Sequence, residues 1–219
     1  MIPTFTAELG ANWKGDFNLL EKMVRKCQEA NVKAVKLQCL SQDLIDRHPE
    51  LYYYKDCSVT KENINKIDFI ANNYGMIWYA TITDVSQIPL LYQHTPYAKI
   101  RAADSAKEDL VNAVLDTFDR TIISSSSPVS YGRPSKTYNL YCIPKYPTEF
   151  GEINFSMIKR MDGYSNHCLN PLAIFRAARM GAKYIEFHLT DSREEFAIDN
   201  KVSFTYEEMK EFMTWIEQR

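Results

Sequence analysis

Eight short apolar runs, rich in β-branched and aromatic residues, alternate with longer amphipathic stretches, and this order restricts the fold more than any other feature of the chain. The runs fall at residues 4–10, 33–38, 76–81, 97–102, 121–126, 137–143, 161–167 and 182–189. Between them, residues 16–30, 61–74, 106–118, 171–180 and 205–216 carry helical spacing. Asp16 and Thr205 are placed to cap helices, and Pro171 follows Asn170 at a first-turn position. Parallel strands cannot be joined by a tight turn, so strands that alternate with helices predict a parallel sheet with crossover connections. Eight such units predict an α/β fold closed as a compact TIM (β/α)8 barrel, one domain over residues 1–219. The stretch Ser127-Pro128-Val129-Ser130-Tyr131-Gly132-Arg133-Pro134-Ser135-Lys136 has turn chemistry without helical period, so no regular helix is expected after the fifth strand.

Composition narrows the function classes. A net charge of −2 gives no electrostatic reason to expect nucleic acid or an anionic membrane as partner. The N-terminal residues lack a basic segment followed by an apolar one, and no apolar run approaches spanning length. Five cysteines, an odd number with no C-x-x-C pair, argue against a disulfide framework or structural zinc module and for a reducing cytoplasm. Seven glycines form neither G-x-G-x-x-G nor a Walker motif, so a phosphate would be held by side chains and loop amides.

Polar residues gather where the strands end. Side chains two apart on a strand share a face, so Glu8 (with Asn12 in the loop beyond), Lys36 and Gln38, Thr81, Lys99 and Arg101, Ser124 and Ser126, Ser165 and His167, and Glu186 and His188 are expected at one rim. Taken singly, each has an ordinary explanation: a solvated lysine, a serine turn, a satisfied core histidine. Together they do not, because Lys36 and Lys99 lie in apolar strand sequence, where an unpaired ammonium group is costly. The carboxyl-terminal rim is also where such barrels keep their sites. Two lysines beside hydroxyls suit an anion, and His167 and His188, twenty-one positions apart and each closing a strand, suit a divalent metal beside carboxylates. His48 and His94 lie in loop-like sequence and are read as ordinary loop residues. Tyr52-Tyr53-Tyr54 is read as packing under a loop, with a substrate wall as the alternative.

These motifs resemble one known family. Ala7-Glu8-Leu9-Gly10-Ala11-Asn12 resembles the A-E-[IL]-G-x-N opening of the N-acetylneuraminate (sialic acid) synthases, and Ala34-Val35-Lys36-Leu37-Gln38 resembles their A-V-K-[FL]-Q strand. Lys99-Ile100, Ile122-Ile123-Ser124-Ser125, Tyr146-Pro147-Thr148, Tyr164-Ser165-Asn166-His167 and the segment from Gly181 to His188 continue the agreement in order, and Asp199 falls at the family's later acid. The resemblance implies condensation of phosphoenolpyruvate (PEP) with an N-acylamino sugar to give a nonulosonic acid and phosphate. It implies a divalent ion, Mn2+ or Mg2+, on His167 and His188, and PEP held by Lys36, Thr81, Lys99, Ser124 and Ser165. Glu8, Tyr146 and Asp199 would face the sugar, and Asp104 stands where the family has a glutamate. Asn12 and Gln38 join the substrate-binding set. The general base is left open among Glu8, Asp104, Glu186 and Asp199. Small-molecule substrates are the expected partners, with a homodimer as the family's assembly.

The chain also departs from the family pattern. Trp13, Ala102, Tyr141, Pro144, Asn166 and Asn200 replace polar or histidine positions. The family's antifreeze-like C-terminal domain is expected to be absent, because the sequence stops after the last barrel helix. Two other readings compete: a metal-dependent aldolase or hydrolase on the same barrel, which needs no buried lysine pair, and a shortened non-catalytic homologue that binds a sugar acid or a partner protein.

Overall fold

The computed structural model describes residues 4–47, 54–194 and 197–218. Its strands are β1 (Thr4–Glu8), β2 (Ala34–Cys39), β3 (Ile77–Ile82), β4 (Tyr97–Ile100), β5 (Arg120–Ser125), β6 (Thr137–Cys142), β7 (Gly163–Asn166), β8 (Tyr184–Leu189) and the two-residue β9 (Ser203–Phe204). Each of the first eight pairs in parallel with the next, and β8 returns to pair with β1, which closes the barrel. The predicted TIM barrel is therefore the fold observed. The ninth strand extends the end of β8, with His188 opposite Ser203.

Among the described residues seven helices accompany the strands, six between them and α7 after the last: α1 (Phe17–Glu29), α2 (Gln42–Arg47), α3 (Ile64–Asn73), α4 (Ile88–Tyr92), α5 (Glu108–Thr117), α6 (Leu172–Arg179) and α7 (Tyr206–Glu217). The expected caps form. Asp16 accepts from the amides of Asn18 and Leu19, and Thr205 and Glu208 form a reciprocal capping box at α7. No helix follows β5, as the turn chemistry predicts, and β6 is followed by 3-10 turns at Phe150–Glu152 and Phe155–Arg160. Helices α2 and α4 are not predicted from the sequence: at six and five residues they complete too few turns to show a period. Among the described residues no helix is long and apolar enough to cross a membrane.

Strand alternation divides the molecule into layers. One face of each strand packs beneath the helices, as Phe5, Ala7, Leu37, Trp78, Ile100, Ile185 and Phe187 do in the main core. Phe187 meets Phe212 of α7 edge to face, with ring centroids 5.0 Å apart. The other face fills the barrel. Ala34, Tyr79, Ile122 and Leu140 form a separate apolar floor, with Tyr97, Tyr138 and Tyr184 packed against it. Above that floor, towards the carboxyl ends of the strands, the inward residues become polar.

Candidate active site

The same alternation that puts Ile122 and Tyr79 in the floor puts Ser124 and Thr81 one layer higher. Glu8, Lys36, Lys99, Ser165, Glu186 and His188 face the same interior: Glu8 lies opposite both Lys36 and His188, Thr81 opposite Lys99, and Ser165 opposite Glu186, with Lys36 and Lys99 rising from the levels of Tyr79 and Ile122. These side chains line a cavity of about 410 Å3 at the carboxyl-terminal rim, a size suited to small molecules. Lys36 is 5% exposed and Lys99 1%. Two ammonium groups this deep need partners, and they have them.

Glu186 sits between the lysines. Its Oε1 lies 3.6 Å from Lys36 Nζ and its Oε2 3.2 Å from Lys99 Nζ, and Ser165 Oγ donates to Oε1 at 3.1 Å. Glu8 makes a close ion pair with Lys36. Lys36 also donates to Thr81 Oγ1 at 3.2 Å, and Lys99 to Ser124 Oγ at 2.6 Å. Burial alone would raise the Glu186 carboxyl, but the two ammonium groups outweigh it and hold the acid below the usual carboxylate range. Burial draws Lys36 down to about 8, against the pull of Glu186.

His167 and His188 face one another with ring centroids 5.5 Å apart. The Ile143 carbonyl lies 2.8 Å from His167 Nδ1, so that nitrogen carries the proton and donates, leaving Nε2 as a bare lone pair. Burial, with His188 next to it, lowers His167 to about 3; burial, with Lys36, does the same to His188. Both rings are thus neutral near pH 7, the form in which imidazole binds metals. Asp199 Oδ2 is 3.7 Å from His188 Nδ1, too far for a hydrogen bond, and both atoms are buried without a hydrogen-bond partner, as is Glu8 Oε1. Among the described residues no group of three or more histidine, cysteine or acidic side chains is already arranged to hold an ion. The donor chemistry nonetheless fits a divalent cation: a histidine fixed through its other nitrogen, a second neutral histidine, and orphaned acidic oxygens at their side.

The remaining predicted residues divide. Tyr146 lies over His167, ring centroids 4.0 Å apart, at a cis Tyr146–Pro147 bond, and remains half exposed at the cavity mouth. Gln38 lines the cavity. Asp199 does so too, fixed by the hydroxyl of Tyr54, which donates to its Oδ1 at 3.0 Å. Burial raises the Asp199 carboxyl despite that bond. Gly10 closes this corner with φ +39°; a Cβ there would lie 2.8 Å from Glu8 Oε1 and 3.0 Å from Asp199 Oδ2. Asn12 and Asp104 do not line the cavity. The Asn12 amide donates to the Leu189 carbonyl at 2.7 Å and to Ser203 Oγ at 2.8 Å, strapping the loop after β1 to β8 and β9. The Asp104 carboxylate is buried under Arg101 and under Lys107 at 2.7 Å.

Sequence reasoning under-read three lining residues. Tyr54 joins the site instead of packing under a loop; Tyr52, Tyr53 and His48 lie outside the described residues. Lys201 reaches the cavity from the turn Ile198–Val202, where no periodicity could mark it. Cys142 lines it from β6, two residues above Leu140 on the same face, a position that strand alternation could have given. His94 stays away from the rim, 3.5 Å from Asp68, in keeping with its loop reading.

Comparison with known proteins agrees with this geometry. The chain is 26% identical over 234 residues to an uncharacterised protein of Methanocaldococcus jannaschii, covering 96% of this chain and 69% of the relative. It is 22% identical over 248 residues to the pseudaminic acid synthase of Campylobacter jejuni, covering 97% and 72%. In fold it matches the crystal structure of an N-acetylneuraminic acid (sialic acid) synthetase from Leptospira borgpetersenii, with a TM-score of 0.87 and 24% identity over 100% of this chain and 84% of that one. A family model, described as the NeuB family, matches residues 23–219. A closed barrel, a polar rim and a match across most of the chain lead to one conclusion: this protein belongs to the NeuB family, and is related to the sialic and pseudaminic acid synthases.

Proposed function

We propose that this protein condenses PEP with an N-acylamino sugar aldehyde, such as N-acetylmannosamine, to form a nonulosonic acid and inorganic phosphate. The observation that carries the reading is the pair of buried lysines, Lys36 and Lys99, each beside a hydroxyl and both tied to Glu186. A metal-dependent aldolase or hydrolase has no use for them, whereas PEP brings two anionic groups that must leave water to react. His167 and His188 would hold a divalent ion, which when bound supplies Lewis-acid polarisation of the sugar aldehyde.

In the reaction the π pair of PEP forms the bond from its C3 to the aldehyde carbon, and the aldehyde oxygen takes a proton. Water adds at C2, giving up a proton to a carboxylate; the new C2 hydroxyl then loses its proton and its oxygen forms the keto C=O as the C–O bond to phosphate breaks, with that bond's electron pair going to phosphate. Lys36, Lys99, Ser124 and Thr81 orient PEP and stabilise the charge on the departing phosphate. Glu186 is held ionised by two ammonium groups and so is a poor proton acceptor; it keeps the lysines in place. Asp104 faces away from the cavity. The base is therefore Glu8 or Asp199, and Asp199, whose proton affinity burial raises, is the better carrier of a proton to and from the sugar side.

The test is phosphate release from PEP with manganese across a panel of amino sugars, with His167→Ala alongside. Release that requires an acceptor and is lost in the variant is the expected result. PEP binding with no turnover on any acceptor would instead favour a non-catalytic homologue.

A further inference from the structure

We infer that Arg101 is an outer clamp on the phosphate of the PEP-class substrate, aimed by Asp104; this rests on the reading just proposed and names a residue it does not use. Arg101 follows directly on β4, with φ −75° and ψ 161°, so the extended backbone and its alternation continue past the strand's end. Its side chain therefore rises on the same face as Lys99, about 6.6 Å further along at two residues of strand rise. Arg101 lines the same cavity as Lys99 and Ser124.

The guanidinium group is held from behind. Its Nε donates to Asp104 Oδ2, while Lys107 Nζ occupies Oδ1 of the same carboxylate at 2.7 Å. Asp104 is 1% exposed and is balanced by two cations, so Arg101 keeps positive charge in excess. Among the described residues no hydrogen bond engages Arg101 Nη1 or Nη2. Fixing Nε removes much of the rotamer freedom that a clamp would otherwise lose on binding, and leaves the two terminal amino groups as a planar fork suited to a phosphate.

Arg101 supplies the cation on the β4 side of the cavity, while Lys201 lines it from the connection after β8. Ala102, Ala103 and Pro144 line the cavity close by and carry no side-chain donor. The carboxylates Glu8, Glu186 and Asp199 belong to β1, β8 and the connection after β8, whereas Arg101 lies two residues beyond Lys99 at the end of β4, the strand between Thr81 of β3 and Ser124 of β5. An anion entering from the mouth meets Arg101 on the cationic side and the two lysines below it. PEP can then place its carboxylate deep and its phosphate outward, where the released phosphate has a direct way out.

The experiment is calorimetric titration of the manganese-loaded protein with PEP, inorganic phosphate and pyruvate, in the wild type, Arg101→Ala and Arg101→Lys. Loss of a charged fork should weaken PEP and phosphate about 10- to 100-fold in Arg101→Ala and leave pyruvate unchanged. Arg101→Lys, which keeps the charge but not the fork, should fall between. Asp104→Asn should raise the KM for PEP without lowering kcat, a split that general loosening of the fold would not give. A wild type that binds PEP and an Arg101→Ala variant that binds it equally well would overturn the clamp and leave the synthase reading standing. A wild type that binds neither PEP nor phosphate would overturn both.

Discussion

The floor and the rim of this barrel are built from the same strands, one step of alternation apart, and they obey opposite rules. In the floor Tyr79, Ile122 and Leu140 fill the interior, and the buried Tyr79 hydroxyl is satisfied by donating to Thr6 Oγ1 at 3.1 Å. In the rim almost every inward side chain is ionisable or polar and several buried atoms lack partners. Apolar burial stabilises the floor whether or not a ligand is present. The rim gathers like and unlike charges at a desolvation cost that only a substrate or ion can offset fully. Stability and chemistry are thus separated along the barrel axis, over two or three residues of each strand.

That separation can be broken by substitution, and the largest effect is expected at Lys99. Lys99→Met keeps the volume and removes the charge, and should lower kcat/KM for PEP by about 10²- to 10³-fold. Its unfolding free energy should change less than that of a floor variant, since Glu186 keeps Lys36 and Ser165 as partners. Next comes Leu140→Ala, which empties space in the floor and should cost about 2–5 kcal/mol in urea unfolding while PEP affinity stays within about twofold. If Leu140→Ala weakened PEP as strongly as Lys99→Met does, floor and rim would be one cooperative unit and the contrast would fail.

The smallest effect is a pH dependence that distinguishes binding from folding at a single residue. Lys36 is held at about 8 in the fold, below the 10.5 of a free lysine, with burial as the larger cause. Between those values the unfolded chain binds the proton and the native chain does not, so this group's contribution to stability rises with pH across that window. Anion binding moves the other way. PEP affinity should fall above about pH 8, approaching about tenfold per pH unit, as the ammonium is lost. Titrations from pH 7 to 9.5 that remained flat would mean that Glu8 keeps Lys36 charged throughout.

Much of this was legible in the chain. Period-two patterning located eight strands, and with them Glu8, Lys36, Thr81, Lys99, Ser124, Ser165, His167, Glu186 and His188, because a strand-end residue has only two faces to choose from. Caps at Asp16 and Thr205 followed from side chains that bond to amides two or three residues away. Helices α2 and α4 were not legible, being too short to express a period.

What only the tertiary structure decided concerns groups joined across the sequence. That Asp104 backs Arg101 and does not enter the cavity, that Tyr54 fixes Asp199, that Asn12 straps β1 to β9, and that one carboxylate, Glu186, serves both lysines depend on loop paths and on closure of β8 against β1. Local patterning determines which way a side chain leaves its own strand. Which charge it meets there is set by the barrel as a whole, because Coulomb and hydrogen-bond energies depend on separations in space that sequence distance does not encode.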